Sequence, residues 1–301
     1  MKFAAIDIGS NAVRLLFGYV IETNHGPEFT KAELIRIPLR LGEDAFIHHR
    51  IGPMLEEKFI NVMQAFKLLI DAYGAISYRA CATSAMREAE NAPAIIQKVA
   101  DRCGLKIEII SGRIEAETIY ANHVAEHLDP ANAYLYIDVG GGSTELTLFH
   151  QNQTIASKSF DVGTIRWLHQ MVSKEYWAAV KSWVRTVTAE HAPLVAIGSG
   201  GNINKIFKML GRKENKPLTY TKLRELYDYL KAFTVEDRIR LLGLRPDRAD
   251  VIVPAAKIFL SIMKHAQIEK IIVPQIGLSD GLIHQQYEAY KISRAANPHP
   301  L

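Results

Sequence analysis

At 301 residues, with 48% hydrophobic and 23% charged residues, the chain reads as a soluble globular protein long enough for two domains, each with its own core. A net charge of +4 is too small to argue for a nucleic acid polymer, and it suits a polyanionic substrate only where positive charge is concentrated locally. The N-terminus meets Asp7 after four apolar residues and no run approaches the ~18 apolar residues of a membrane span, so neither a signal peptide nor a membrane segment is expected; Cys81 and Cys103 then read as buried or inert thiols in a reducing cytoplasm.

In chain order, residues 2–8 read as a buried strand running into the turn Gly9-Ser10-Asn11. Residues 13–21 and 34–41 read as further strands, and His48-His49-Arg50 as a polar loop. Leu55, Phe59, Ile60, Met63, Phe66, Leu69 and Ile70 recur at helical spacing. A strand at 76–82 enters a helix through Thr83-Ser84, helix 92–103 and a short strand at 106–110 follow, and helix 111–125 carries Glu115 one turn in. Beyond it, strands are predicted at 133–139, 146–149, 154–160, 194–197 and 271–273. Helices are predicted at about 164–173, 175–190, from Ile203, and at 221–232, 235–241, 249–266 and 279–293. Residues 211–221 read as a loop, and 295–301 as a frayed end.

The two halves share a pattern. Ile6-Asp-Ile-Gly-Ser-Asn-Ala-Val-Arg-Leu15 and Ile137-Asp-Val-Gly-Gly-Gly-Ser-Thr-Glu-Leu146 coincide in Ile, Asp, an aliphatic residue, Gly and a final Leu, at an offset of 131 residues. This suggests a duplicated α/β domain with the two turns facing each other across a cleft. Four segments place glycine or hydroxyl residues at the C-terminal end of a predicted strand: Asp7–Asn11, Ala82–Arg87, Asp138–Glu145 and Gly198–Asn202. Ligands of α/β sheets bind at that end. Consecutive glycines let backbone N–H groups converge on an anion, and paired carboxylates suit the cation that accompanies phosphate.

Asp7 and Asp138 fit either a metal or phosphate site or a turn-capping Asp. Arg14 and Arg87 fit bidentate phosphate contacts or surface ion pairs. Glu115 near a helix start is a position the dipole favours for any carboxylate. The run Lys205, Lys208, Arg212, Lys213, Lys216 is either a solvated face or a local attractor for polyphosphate. No His-Glu-x-x-His, Cys-x-x-Cys, Gly-x-Ser-x-Gly or Walker-type sequence is present, which excludes zinc hydrolases, serine hydrolases and P-loop enzymes.

These residues resemble the exopolyphosphatase/guanosine pentaphosphate phosphohydrolase (Ppx/GppA) family of the actin–Hsp70–sugar-kinase superfamily. The matching stretches are Asp7-Ile-Gly-Ser-Asn-Ala-Val-Arg-Leu15, Ala82-Thr-Ser-Ala-Met-Arg-Glu-Ala-Glu-Asn91, Ile110-Ser-Gly-Arg-Ile-Glu-Ala116 and Asp138-Val-Gly-Gly-Gly-Ser-Thr-Glu-Leu146, then Gly198-Ser-Gly-Gly201, Arg248-Ala-Asp-Val-Ile252 and Gly277-Leu-Ser-Asp-Gly-Leu282. The resemblance implies two RNase H-like α/β domains, 1–125 and 126–282, with an interdomain cleft, and a terminal helix 283–301 packing back on the first. It also implies Mg²⁺-assisted (or other divalent-cation-assisted) hydrolysis of a terminal phosphoanhydride.

Carried over by position, Glu115 would be the general base, and Asp138 and Glu145 would hold metal and orient water, with Asp7 as a further metal ligand. Ser10, Asn11, Arg14, Arg87, Gly140, Gly141, Gly142, Ser143, Thr144, Gly198, Ser199, Gly200 and Gly201 would hold phosphates. Ser279 stands where the family has arginine, so one positive contact or structural ion pair is missing. Many members continue into helical domains that help form a polymer channel, so high processivity on long polyphosphate is not expected here.

The resulting expectation is a cytoplasmic, homodimeric exopolyphosphatase-type hydrolase. Its alternatives are a phosphohydrolase converting pppGpp to ppGpp, and a non-turnover sensor of guanosine polyphosphates or ATP. An intact Glu115, Asp138 and Glu145 argue against the sensor. The Ser10-Asn11 and Arg87 signatures argue against an actin-like ATPase or sugar kinase.

Overall fold

A computed structural model describes residues 1–120, 129, 131–151, 153–211 and 216–296. The chain forms two compact units, Met1–Asn122 with Gly277–Leu301, and His123–Ile276. The expected boundary after residue 125 and the basic residues Arg212 and Lys213 lie outside the described residues.

In the first unit, β1 (Lys2–Ile8), β2 (Val13–Thr23), β3 (Gly26–Ile37), β4 (Ser77–Ala82) and β5 (Ile107–Ile109) form one sheet in the order β3-β2-β1-β4-β5. Helices α1 (Leu41–His48) and α2 (Pro53–Tyr73) join β3 to β4, α3 (Ser84–Glu88) and α4 (Ala92–Cys103) join β4 to β5, and α5 (Gly112–Tyr120) follows. The central strand β1 is buried on both faces from Phe3 to Ile8, which explains its near-continuous apolar run. Helix α2 starts on Pro53, whose missing N–H costs nothing there, and stops at the left-handed Gly74. On β4, burial pushes the Cys81 thiol up to about 12, so it stays protonated and inert at neutral pH.

Two elements of this unit differ from the sequence expectation. β3 begins at Gly26, not at Leu34, because its first half is an exposed, polar strand with no buried face to impose alternation. It ends at Ile37, and Leu41 opens α1. That helix is fixed by tertiary contacts, Arg40 N–H to the Asn11 carbonyl (3.1 Å) and Gly42 N–H to the Ser10 carbonyl (2.8 Å), which no local pattern encodes.

The second unit contains β6 (Ala133–Val139), β7 (Thr144–His150), β8 (Gln153–Phe160), α6 (Thr164–Leu168), α7 (Lys174–Thr188), β9 (Leu194–Ser199) and α8 (Gly201–Met209). It continues with β10 (Leu218–Thr219), α9 (Tyr220–Lys231), α10 (Val235–Arg240), α11 (Pro246–Ala249), α12 (Ile252–His265) and β11 (Lys270–Ile272). Its sheet runs β10-β11-β9-β6-β7-β8, so β8-β7-β6-β9-β11 repeats the order of the first unit, with β10 added at the edge. The core joins Ile137, Val139 and Leu146 of the sheet to Ile203 and Phe207 of α8 and Phe259 of α12. Here β9 continues two residues past its predicted end, and β10 forms within the predicted loop 211–221.

The last helix, α13 (Leu278–Ala296), belongs to the first unit and contacts β1, β2, β4 and α5. Tyr287 meets Phe3 and Phe29 edge-on, and Gln286 donates to the Ala4 carbonyl (2.9 Å) while accepting from Ser77 Oγ (2.7 Å). At its start, the Asp280 carboxylate accepts from Gly277 N–H at 2.9 Å, closing the helix end, and pairs with Lys31 at 2.8 Å. Residues 277–282, assigned by sequence to the second domain, are thus the anchored end of this helix. Gly281 lets the backbones of α13 and α5 meet: a Cβ there would lie 2.2 Å from the Thr118 carbonyl oxygen.

Helix propensity alone favours alanine at Gly281. Gly281→Ala is nevertheless expected to destabilise by roughly 1–3 kcal/mol through overpacking. Gly277→Ala, whose Cβ would find its nearest neighbour, Asp280 Oδ2, at 4.0 Å, should leave the thermal midpoint nearly unchanged. Equal midpoints for the two variants would contradict the close packing.

Candidate active site

In the first unit the β1–β2 hairpin closes with Gly9 N–H on the Ala12 carbonyl (3.1 Å), in a register that sets Asp7 opposite Arg14. The two side chains pair at 2.5 Å, with Arg14 28% exposed, so the guanidinium already neutralises Asp7 while keeping a solvent-facing edge. Ser10 is buried and its hydroxyl lies 2.8 Å from that of Ser84 at the start of α3. Thr83 anchors this junction, its N–H bonding the Ile8 carbonyl at 3.1 Å. Arg87 on α3 donates to the Ile110 carbonyl (2.7 Å) and reaches Glu115 of α5 at 3.8 Å. Ser10, Arg87 and Glu115 are therefore held by elements that meet around the C-terminal ends of β1, β4 and β5.

In the second unit the β6–β7 hairpin repeats the turn: Gly140 N–H bonds the Ser143 carbonyl (2.9 Å), and Asp138 faces Glu145. The carbonyls of the three glycines are all taken by the segment that opens α6. Gly140 accepts from Thr164 N–H (3.0 Å), Gly141 from Ile165 N–H (2.8 Å) and Gly142 from Arg166 Nε (2.9 Å). In a trans peptide the N–H of the next residue points opposite to the carbonyl. The Gly141, Gly142 and Ser143 N–H groups are thereby turned to the other side of the loop, as an anion cradle requires. The segment comes this close because residue 163 is glycine; a Cβ there would lie 2.2 Å from the Gly141 oxygen.

Alongside, β9 places Ser199 in register with Asp138, and Gly200, at φ +100°, caps α8 with its Cα against Asp138 and Val139. Arg248 Nη1 holds the Gly201 carbonyl. The N-terminus of α8 and the glycine turn thus lie on either side of Asp138.

Across the strands, Asp138 faces Glu145 where Asp7 faces Arg14. Asp138 and Glu145 are 8% and 3% exposed, and they share one sheet face. Glu145 Oε1 accepts from Ser143 Oγ (2.7 Å) and Ser159 Oγ (3.0 Å), and Asp138 Oδ2 from Tyr136 OH (3.3 Å). A buried pair of hard oxygen ligands fits Mg²⁺, which takes one or two carboxylates and completes its shell with water and substrate phosphate. Among the described residues no three His, Cys, Asp or Glu side chains converge.

The model of the Ppx/GppA phosphatase family matches residues 29–289. The chain belongs to the Ppx/GppA phosphatase family. It is 26% identical to exopolyphosphatase 1 of Mycobacterium tuberculosis, over 96% of this chain and 89% of that protein. It is 25% identical to the guanosine-5'-triphosphate,3'-diphosphate pyrophosphatase of Vibrio parahaemolyticus, over 95% of this chain but 59% of that longer protein. The solved exopolyphosphatase of Cytophaga hutchinsonii superimposes with a TM-score of 0.80 at 20% identity, covering 96% of this chain and 98% of that one. The two α/β units are therefore those of the actin-like, RNase H-like fold, and the Ppx/GppA assignment makes the chain a phosphoanhydride hydrolase.

Sequence reasoning did not single out Arg166, and it quoted Arg248 only within a matching stretch. Both act on loop carbonyls rather than through a motif of their own. Gly163, three residues before Arg166, was the available signal, since an invading segment needs a residue without a side chain. Gly163→Ala, although compatible with the extended backbone there, is expected to expel residues 164–166 from the turn. A lower melting midpoint and faster amide exchange across residues 140–145 would register this; unchanged exchange would contradict the tie.

Proposed function

We propose that the protein hydrolyses the terminal phosphoanhydride of inorganic polyphosphate, releasing orthophosphate. The observation that carries this reading is the glycine turn with its three carbonyls tied back, set beside a buried Asp138–Glu145 pair. That combination offers backbone donors and a cation seat for a chain of phosphates, and no element of it selects a base or sugar. Family membership and the name of the mycobacterial relative support the same substrate class.

In the proposed reaction Glu115 takes a proton from water as the water oxygen attacks the terminal phosphorus. The P–O bond to the bridging oxygen breaks, and the shortened chain leaves carrying that electron pair. Arg87, 3.8 Å from Glu115 and bound to the Ile110 carbonyl, orients the carboxylate and meets phosphate oxygens. Ser10, Asn11 and Arg14 position phosphates from the first unit. Gly140 to Thr144 and Gly198 to Gly201 do so from the second, where the N-terminus of α8 adds its dipole. Asp138 and Glu145 would hold Mg²⁺, which when bound neutralises charge on the phosphate oxygens. Asp7, already paired with Arg14, would serve the cation less directly. Phosphoryl transfer is governed by such positioning and charge neutralisation.

A second reading, conversion of pppGpp to ppGpp, is favoured by the name of the Vibrio relative and uses the same groups on a guanosine-bearing chain. A cytoplasmic homodimer completes the proposal; both cysteines are free and buried, and among the described residues no helix is long and apolar enough to cross a membrane.

Purified protein with Mg²⁺ should release phosphate from long polyphosphate and tripolyphosphate with higher kcat/KM than from pppGpp or ATP. Preference for pppGpp would establish the second reading, and no release from any of them would leave a binding protein. Glu115→Gln should lower kcat by ~10²- to 10⁴-fold while tripolyphosphate binding stays near wild type. Undiminished turnover in that variant would remove Glu115 from the mechanism.

A further inference from the structure

We propose that Arg166 is a positioning residue for phosphate: it acts through the Gly142 carbonyl to aim the Ser143 N–H, not by placing its charge on the substrate. The inference rests on the phosphate-cradle reading of the glycine turn and deepens it.

The two hairpin turns provide an internal comparison. In the first unit the turn carbonyls of Ser10 and Asn11 are held by main-chain donors, Gly42 and Arg40 N–H. In the second unit the corresponding strand-to-helix segment supplies main-chain donors to Gly140 and Gly141, and there the backbone supply ends. The third carbonyl, Gly142, is met by a side chain, with Arg166 Nε at 2.9 Å. Arg166 sits in the five-residue helix α6, whose start is pinned by Gly163 against Gly141, so the guanidinium is delivered from a fixed base.

A glycine peptide has the widest choice of orientation of any in the chain. If the Gly142–Ser143 peptide turned over, its carbonyl would face the anion and its N–H would be lost from the cradle. The Nε contact opposes that turnover. Ser143 also carries the hydroxyl that donates to Glu145, so the same peptide sets the carboxylate beside the cation seat.

Two substitutions separate positioning from charge. In Arg166→Gln the side-chain amide nitrogen occupies the place of Nε, one bond beyond Cδ, so the bond to Gly142 can form without any positive charge. Arg166→Met keeps the apolar stem and removes the donor. Amide exchange across residues 140–145 in the ligand-free protein is the first readout. Tripolyphosphate affinity in a Glu115→Gln background is the second, and the split of kcat against KM is the third.

Arg166→Met is expected to accelerate exchange in the turn and to weaken tripolyphosphate binding by roughly tenfold, the scale of one lost hydrogen bond. Arg166→Gln should restore both to within about threefold of the parent, with the loss in Met carried by KM at least as much as by kcat. Equal impairment of the two variants, or unchanged exchange in Arg166→Met, would overturn the proposal. Exchange and binding need no turnover. Wild-type protein that binds tripolyphosphate without releasing phosphate would therefore defeat the hydrolase reading, while the role of Arg166 is still decided.

Discussion

One backbone constraint governs both halves of this protein: each begins with a hairpin whose turn and register are the same. In that register the residue seven positions after the strand's aspartate lies directly opposite it. In the first unit this partner is Arg14, which pairs with Asp7; in the second it is Glu145, a second carboxylate. A buried carboxylate pair fits a cation, whereas the Asp7–Arg14 pair already joins opposite charges. The two copies of one hairpin thus differ in charge at one position, and under the proposed function the first would hold phosphate and the second a metal.

The rest of the architecture keeps these hairpins rigid, and it does so mainly through backbone. Gly163 against Gly141, Gly200 against Asp138 and Gly281 against Thr118 are approaches that any Cβ would obstruct. They lock α6, α8 and α13 to the elements that carry the site residues. Surface ion pairs such as Lys67–Asp71 and Lys222–Glu225 are exposed and contribute little by comparison. Arg238 is a different case. It is buried, its Nε donates to the Leu230 carbonyl (2.8 Å) and Nη1 to the Ala249 carbonyl (2.9 Å), joining the ends of α9 and α11. Desolvation depresses its pKa from the ordinary arginine value, and its charge is spent on helix ends rather than on substrate.

How much of this was legible in the sequence depends on which interactions are local. The strands that carry Asp7 and Asp138 have long apolar runs, and their glycine turns recur at a fixed offset, so both hairpins could be read directly. The role of Glu115 could not: a carboxylate in the first turn of a helix satisfies the dipole in any protein, and only the family resemblance gave it a proposed chemistry. The first half of β3 escaped because an exposed strand has no alternation to display, and α1 because its start is set by carbonyls of the distant Ser10–Asn11 turn. Arg166 and Arg248 escaped for the same reason, since each bonds a glycine carbonyl that lies 24 or 47 residues away in sequence. Contacts from side chain to distant backbone leave no periodicity.

The central claim is that exchanging Arg14 for Glu145 between the two hairpins divides anion holding from cation holding. It is tested most directly by titrating Mn²⁺, as a paramagnetic substitute for Mg²⁺, into wild-type, Glu145→Gln and Arg14→Gln proteins and following bound metal by electron paramagnetic resonance. The account predicts that Glu145→Gln weakens metal binding by at least ~10-fold, the scale of one lost charged contact, while Arg14→Gln leaves it within about twofold. Unaltered metal affinity in Glu145→Gln, or an equal loss in both variants, would contradict it.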